Sequence, residues 1–564
     1  MSNLDWWVLA GTLAVLIGYG LYRSRGKQTF DDYTRAGQSL PWYHVGLSVM
    51  ATQASAITFL SAPGQGFADG MRFVQFYFGL PLAMIVLSIT FVPIYHKLNV
   101  YTAYEFLEKR FDGRVRSLTA GLFLLQRGLS TGLSIYAPAI ILSTILGWNI
   151  YWTNLIMGGL VLLYTVSGGS KAISHTHLTQ MLIVTVVMAV AGWLTVRLLP
   201  DNVGFTDALR VAGKAGRLNL IDTKFDLHNR YNLWSGLIGG FFLQLSYFGT
   251  DQSQVGRYLT GGSVAQSRVG LLMNGLLKVP MQFLILLMGV LVFVFYQFNE
   301  SPVFFNQQEV ERLRSGPLAG EFRLLDMKHQ TLSAQRREAV ADLEVAMQSG
   351  NDAEATEAGT QIRLSDNALT TIRADVGKLI KQNNPTADTN DVNYVFLRFM
   401  LDHLPHGLIG LLIAALFIAS MGSIASAYSS LSSTTVVDVY NRIAPSSTVD
   451  EVVLSRWLTV GWGIFCIIVA QFANLIGGSM IEIVNILGSL FYGVILGIFC
   501  VAFYLKSVGG RATFWAALLA EVIVIGCYQF DLMAFLWLNV VGCLLVMAFA
   551  LVLNRLVPAN VEIS

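Results

Sequence analysis

"ALFIASMGSIASAYSSLSSTTVVDVY", residues 415–440, begins as a membrane-spanning helix yet carries a dense row of serines and threonines between Ala419 and Thr435. A helix in hydrocarbon satisfies its own backbone, so polar side chains on it either pack against a neighbour or serve a site. Ala419, Gly422, Ser423 and Ser426 recur every three or four positions and share one helix face. Small residues allow close helix packing, but packing alone has no need of so many hydroxyls. Neutral hydroxyl and carbonyl oxygens suit a hard monovalent cation that must also leave, which points to sodium.

The rest of the chain supplies the membrane. It has 564 residues, 54% hydrophobic and 13% charged, with apolar runs of about 20 residues, enough for a helix to cross roughly 30 Å of hydrocarbon. The runs predict an all-α polytopic protein of about thirteen spans, near 5–22, 42–64, 73–95, 117–146, 151–168, 177–199, 233–254, 269–297, 405–436, 453–474, 479–504, 512–529 and 531–554. The first run lacks a basic flank and a cleavage pattern, so a retained helix is expected. Arg23, Arg25, Lys27, Arg35, Lys109, Arg110, Arg114, Arg116, Lys171, Arg442, Arg456 and Arg511 fall on one side of these spans, and the short loops opposite hold essentially Arg72 alone. By the positive-inside rule the N-terminus is outside and the C-terminus inside. The net charge of +2 comes without a basic arm, which sets nucleic acid aside. The four cysteines sit in apolar runs without CxxC spacing, and no nucleophile–base pair or phosphate loop marks an enzyme.

Residues 300–392 interrupt a membrane domain made of 1–299 and 393–564. Two helix-forming stretches, 318–347 and 352–381, flank the turn "QSGND" and predict an antiparallel hairpin outside the membrane. Charge-rich helices are usually solvated faces, so a solvated insertion is expected, with an unknown extracytoplasmic partner as the alternative.

Three other places break the rule that a membrane helix is apolar and regular. "SVMATQASAITFLSAPGQGFADG", 48–70, has small and polar residues in mid-span with Pro63, Gly64 and Gly66 beyond; an interruption there would free the carbonyls of Ala51 and Ala54 to line a cavity or bind an ion, though tight packing of a small-residue helix reads equally well. "QLSYFGTDQSQVGRYL", 244–259, runs into Asp251, Gln252 and Arg257. Lys278 and Arg127 stand inside apolar runs, where a charge marks either a pathway or a paired structural group.

Together, "ATQASAITFL" (51–60), "YTVSGGSKAISHTHLTQ" (164–180), "YFGTDQSQVGRYL" (247–259) and "ASMGSIASAYSSLSSTTVVDVY" (419–440) resemble the sodium/solute symporters, over nearly the whole chain except the 300–390 insertion. The resemblance implies two inverted five-helix repeats with one helix before and two after, and a substrate site near the midplane beside a broken helix. It places a sodium site on Ala51, Ala54, Ala419, Gly422 and Ser423, with Gly422 standing where a hydroxyl is usual and Ser426 as a possible substitute. It makes Tyr247 an inner gate and puts Gln53, Ile57, Thr58, Tyr77, Leu80 and Lys278 at substrate-contact positions. His177 stands where many members have Asp, so a second sodium site is expected to be absent; for His177 and His175 the plainer reading is two histidines at a cytoplasmic helix start.

The expected function is sodium-coupled import of a small organic solute by alternating access through a plasma (inner) membrane, with Na+ as coupling ion. The contact positions are less polar than a hexose requires, and "ATQASAITFL" looks closer to the iodide, multivitamin and monocarboxylate branch, which favours a small organic anion. A sugar or sialic acid symporter is the alternative. A non-transporting sensor is another, resting on the hairpin, since "RLVPANVEIS" after the last run is too short for an output domain.

Overall fold

The computed structural model describes residues 1–23, 30, 40–98, 100–444, 449–473 and 478–556, with only the helical backbone at 20, 21, 23 and 167–176. The side chains of Arg23, Arg25, Lys27, Arg35, Lys171 and His175 therefore lie outside the described residues. Among the described residues the chain is helical, with one isolated bridge joining Leu40 to Gly261. Nine helices among the described residues are long and apolar enough to cross a membrane, and a further apolar stretch, Ile150–Val166, is shorter.

The helices that place the site are α1 (Asn3–Arg23), α2 (Trp42–Gln53), α3 (Ala62–Asp69), α4 (Leu80–Ile89), α5 (Phe91–Leu98), α6 (Gly113–Leu146), α7 (Ile150–Arg197) and α8 (Phe205–Lys214). After them come α9 (Gly240–Thr250), α10 (Gln252–Tyr258), α11 (Val264–Phe298), α12 (Ala319–Ser349), α13 (Asp352–Asn383), α14 (Val392–His403), α15 (Leu408–Thr434), α16 (Glu451–Ala470), α17 (Met480–Tyr504), α18 (Gly510–Gln529) and α19 (Phe535–Leu556). The opening stretch of sequence is α15 and the π turn that follows it, and nearly all of α15 is buried. A helix so rich in hydroxyls is stable there because the serines bond to carbonyls of their own helix, as Ser426 does to Gly422 (2.9 Å) and Ser430 to Ala427 (2.8 Å). At its start the Asp5 carboxylate of α1 accepts from the amides of Gly407 (2.6 Å) and Gly410 (3.3 Å), capping donors the helix leaves over.

Two expected spans, 42–64 and 73–95, are not single helices. The first divides into α2, a π turn Ile57–Ser61 and α3; the second divides into a 3-10 turn Gly70–Tyr77, α4 and α5. Conversely, 151–168 and 177–199 form one helical element, α7. Both its ends lie on the hairpin side: the carbonyl of Ser143, just before α7, accepts from Gln308 (2.6 Å), and Asn202, just after it, donates to Glu344 of α12.

The predicted hairpin is present as α12 and α13. The chain reverses at Gly350, whose φ of 69° favours a residue without Cβ, and Asn351 caps α13 through Ala353 (3.2 Å) and Glu354 (3.4 Å). The insertion also meets the membrane domain. Arg336 of α12 donates to the Tyr296 carbonyl at the end of α11 (2.6 Å) and pairs with Asp366 of α13 (3.1 Å). Gly359 of α13 packs on Lys214 of α8, and Arg363 donates to the Lys214 carbonyl (3.3 Å). One face is thus docked on the membrane domain, because apolar side chains such as Val340, Leu343 and Ile362 need a partner surface to leave water.

Candidate functional site

The first interruption falls where the sequence places it. α2 stops at Gln53, and Ala54 takes φ −86°, ψ 83°. The next amides turn inward: Ser55 N–H donates to Gln53 (3.2 Å) and Thr58 N–H to Ser55 (3.0 Å). Among the described residues no backbone N–H donates to the carbonyls of Ala51 and Ala54, two acceptors in residues 3% and 1% exposed. α15 lies alongside. Ala56 N–H donates to Ser420 Oγ (3.2 Å), and Thr52 Oγ1 reaches Ser426 Oγ (3.5 Å). Ser420, absent from the sequence reading because it lies off the 419/422/423/426 face, is the residue that satisfies the break.

A cavity of about 110 Å³ opens beside the break. Gln53, Thr58, Tyr77, Tyr247 and Ser423 line it, as does Ile57, while Ala51, Ala54, Ala419, Gly422 and Ser426 are buried nearby without lining it. Lys278 does not reach it: the residue is fully buried in α11, Nζ has no hydrogen-bond partner, and it is not among the lining residues; nor is Leu80. The cavity is also more polar than the contact positions read from sequence. Gln126, Arg127, Ser130, Thr131 and Ser134 of α6, Gln244 of α9 and Asn485 and Tyr492 of α17 complete the wall. Their signal was the run "QRGLSTGLS", 126–134, with polar residues at helical spacing in an apolar helix; nothing in the sequence says which partner that face meets.

The donors fit a sodium ion. The carbonyls of Ala51, Ala54 and Ala419 and the Ser423 hydroxyl are neutral oxygens, and two of the carbonyls have no other donor. Gly422 brings no side chain. A Cβ there would stand 2.5 Å from Gln180 Oε1 and 3.0 Å from His177 Nε2, so the glycine makes room for two side chains of α7, and the Gln180 amide oxygen stands where a hydroxyl at 422 would project. His177 is fully buried, with Nδ1 3.0 Å from Ser48 Oγ of α2. The sequence reading puts His177 at a cytoplasmic helix start; in the structure it is a packing element between α2, α7 and α15.

A second interruption closes the cavity on the side away from the hairpin. α9 ends at Thr250, Asp251 is extended, and α10 starts at once. Asp251 Oδ1 caps α10 through Ser253 N–H (2.8 Å) and Oγ (2.6 Å); Oδ2 accepts from Tyr492 (2.8 Å) and pairs with Arg127. The Arg127 guanidinium also lies 5.4 Å from the centre of the Tyr247 ring, whose hydroxyl accepts from Gln254 (2.7 Å). Arg127, open in the sequence between pathway and structural charge, is both paired and part of the cavity wall.

Comparison with known proteins agrees with this geometry. A sequence profile described as the sodium:solute symporter family matches residues 33–309 and 375–520. The human sodium/iodide cotransporter is 32% identical over 299 residues, 52% of this chain and 45% of that protein. The human sodium-coupled monocarboxylate transporter 1 is 32% identical over 275 residues, 48% of this chain and 44% of that protein. The multivitamin transporter of Oryctolagus cuniculus, named as sodium-dependent, is 25% identical over 512 residues, 89% of this chain and 66% of that one. The chain thus spans about half the length of the first two relatives. Among solved structures, a Na+-coupled sialic acid symporter in a substrate-bound outward-open state superposes with a TM-score of 0.76 at 20% identity, over 100% of this chain and 99% of that one, a likeness of fold.

Proposed function

The chain belongs to the sodium:solute symporter family, and from that premise we propose that it is a sodium-coupled symporter importing a small organic anion by alternating access. The observation that carries the reading is the pair of unpartnered carbonyls at Ala51 and Ala54, held beside the serines of α15 at the edge of a polar cavity. Sodium bound by these carbonyls, the Ala419 carbonyl and Ser423 would pin α2 to α15, with Gln180 or Ser426 supplying the oxygen that Gly422 lacks. That fixes Gln53 and Thr58 in the cavity wall, so substrate and ion bind better together than apart. The Arg127–Asp251–Tyr492 cluster and Tyr247 form the inner closure, and an anion in the cavity has Arg127 as its counter-charge. At ~100 mV one entering sodium supplies about 2.3 kcal/mol, roughly fortyfold accumulation of a neutral solute and less for an anion.

The same reading takes thirteen crossings, N-terminus outside and C-terminus inside, with two inverted five-helix repeats, in a plasma (inner) membrane. It is supported by the two ends of α7 sharing the hairpin side and by the basic residues opposite. The relatives' named solutes, iodide and monocarboxylates, favour a small anion over a sugar or the larger, hydroxyl-rich carboxylate sialic acid, although the polar wall from α6 weakens the argument against a sugar. The test is uptake into proteoliposomes of labelled iodide, lactate, nicotinate and glucose under an inward sodium or potassium gradient. Sodium-stimulated uptake of one anion, lost in Ser423→Ala, is the expected result. Full sodium stimulation in Ser423→Ala would refute the ion site, and equal rates in sodium and potassium for every solute would refute the symporter.

A further inference from the structure

A second cavity, of about 510 Å³, lies on the hairpin side of the first and belongs to none of the machinery above. Arg72, Arg217 and Arg230 line it with Asp69 and Glu482, three fixed positive charges against two negative ones, and Asn229 and Tyr231 add polar groups. Arg230 is paired with Glu482 (2.7 Å), which also accepts from Tyr231 (3.2 Å). Among the described residues Arg72 and Arg217 have no ion pair. Arg217 donates through Nη1 to the Ala68 carbonyl and lies 4.5 Å from the centre of the Phe293 ring, while its Nε–H is buried without a partner. Burial lowers its pKa from the ordinary arginine value, against the opposing pull of the Asp366 and Asp69 carboxylates.

The place of this vestibule gives it a use. Tyr231 in its wall packs on Phe73 (5.1 Å), Phe73 stacks on Phe76 (5.4 Å), and Phe76 meets Tyr77 (4.8 Å); Phe76 and Tyr77 line the central cavity. Glu482 borders the vestibule and its neighbour Ile481 the central cavity. A run of packed aromatic rings thus leads from the vestibule wall to the wall of the central cavity. The insertion holds the vestibule in shape: Arg363 and Gly359 of α13 pack on Lys214 and Gly216, and Met71 N–H donates to the Arg217 carbonyl (2.9 Å), where Gly70, with φ 73°, comes so close that no Cβ fits.

We propose that this vestibule is a binding site for a small carboxylate-bearing solute, which bridges the Arg72 and Arg217 guanidinium groups before it passes the aromatic stack. An unpaired guanidinium in a partly enclosed space is the group that a carboxylate satisfies with charge-assisted hydrogen bonds, and the one positive charge left over in the wall matches a monoanion. The class of solute rests on the proposed function; the site itself rests on the cavity.

The experiment is thermal unfolding of the purified full chain in potassium buffer at fixed ionic strength, titrated with lactate against lactamide and nicotinate against nicotinamide. A carboxylate held here stabilises the protein where its amide does not. Arg72→Gln/Arg217→Gln weakens the apparent carboxylate affinity about tenfold or more, and Arg72→Lys/Arg217→Lys keeps part of it. Equal stabilisation by acids and amides, or an undiminished response in the double glutamine variant, overturns the proposal. Uptake in sodium separates the two claims: the carboxylate response can persist in a protein that shows no sodium-driven flux, which would sink the symporter and leave the vestibule.

Discussion

The two helix interruptions are built in opposite ways. At residues 54–56 the backbone is opened and left open: one amide goes to Ser420 of α15, and among the described residues no backbone N–H donates to the carbonyls of Ala51 and Ala54. At Asp251 the break is sealed, with Ser253 capped by one carboxylate oxygen and Arg127 and Tyr492 held by the other. Neutral oxygens without partners can take up and release an ion; a buried ion pair with satisfied acceptors closes a path. The segments "ATQASA" and "FGTDQS" both read as polar interruptions, and it is their neighbours that make one a site and the other a seal.

The largest test of that contrast is Arg127→Ala, which strands the buried Asp251 carboxylate. It is expected to cost about 3–5 kcal/mol, whereas Arg127→Met/Asp251→Leu costs far less; denaturant unfolding in detergent compares them, and equal losses would mean that the pair is not a unit. Next is Ser420→Ala, which orphans the Ala56 amide and is expected to cost about 1–3 kcal/mol. It should also shrink the sodium-induced rise in melting temperature, which Arg127→Met/Asp251→Leu should leave in place. Third, Gly422→Ala puts a Cβ 2.5 Å from the Gln180 amide and is expected to cost about 1 kcal/mol, recovered in part by Gln180→Ala; if Gln180 supplies the missing oxygen, that double variant still loses sodium affinity.

The smallest effect concerns how the insertion meets the open break. Asn393 Oδ1 accepts from Ser61 (3.0 Å), beyond the break, and from Met480 N–H (3.3 Å) at the start of α17. Just before it, burial pushes the carboxyls of Asp388 and Asp391 up to about 6, outweighing for Asp391 the Arg373 guanidinium 3.2 Å away. A carboxyl whose pKa is higher folded than unfolded stabilises most below about pH 4, and that contribution is lost as pH rises through about 6. The melting temperature of the protein relative to that of Asp388→Asn/Asp391→Asn should therefore fall between about pH 4 and 6; a constant difference would show that these carboxyls ionise normally.

Much of this was legible in the chain. Apolar runs announce membrane helices because hydrocarbon accepts little else, the hairpin follows from helix-forming residues around "QSGND", and the break at 54–56 was visible because polar residues in mid-span need a reason. Lys278 stands in an apolar run, where a charge reads as functional wherever it points, and in α11 it is buried outside the lining of the cavity. His177 reads in the sequence as one of two histidines at a cytoplasmic helix start, and its burial between α2 and α15 comes only with its folded neighbours.

By itself, then, the sequence determined that the protein is a helical membrane protein and that neutral oxygens gather in residues 419–435. Those are local properties, set by hydropathy and by which backbone groups a stretch can satisfy alone. Only the tertiary structure decided that Ser420 satisfies the first break, that α6 lines the cavity, that Gln180 and His177 fill the space at Gly422, and that three arginines converge beneath the docked hairpin. Each of these joins residues tens or hundreds of positions apart, and no local pattern records the distance between them.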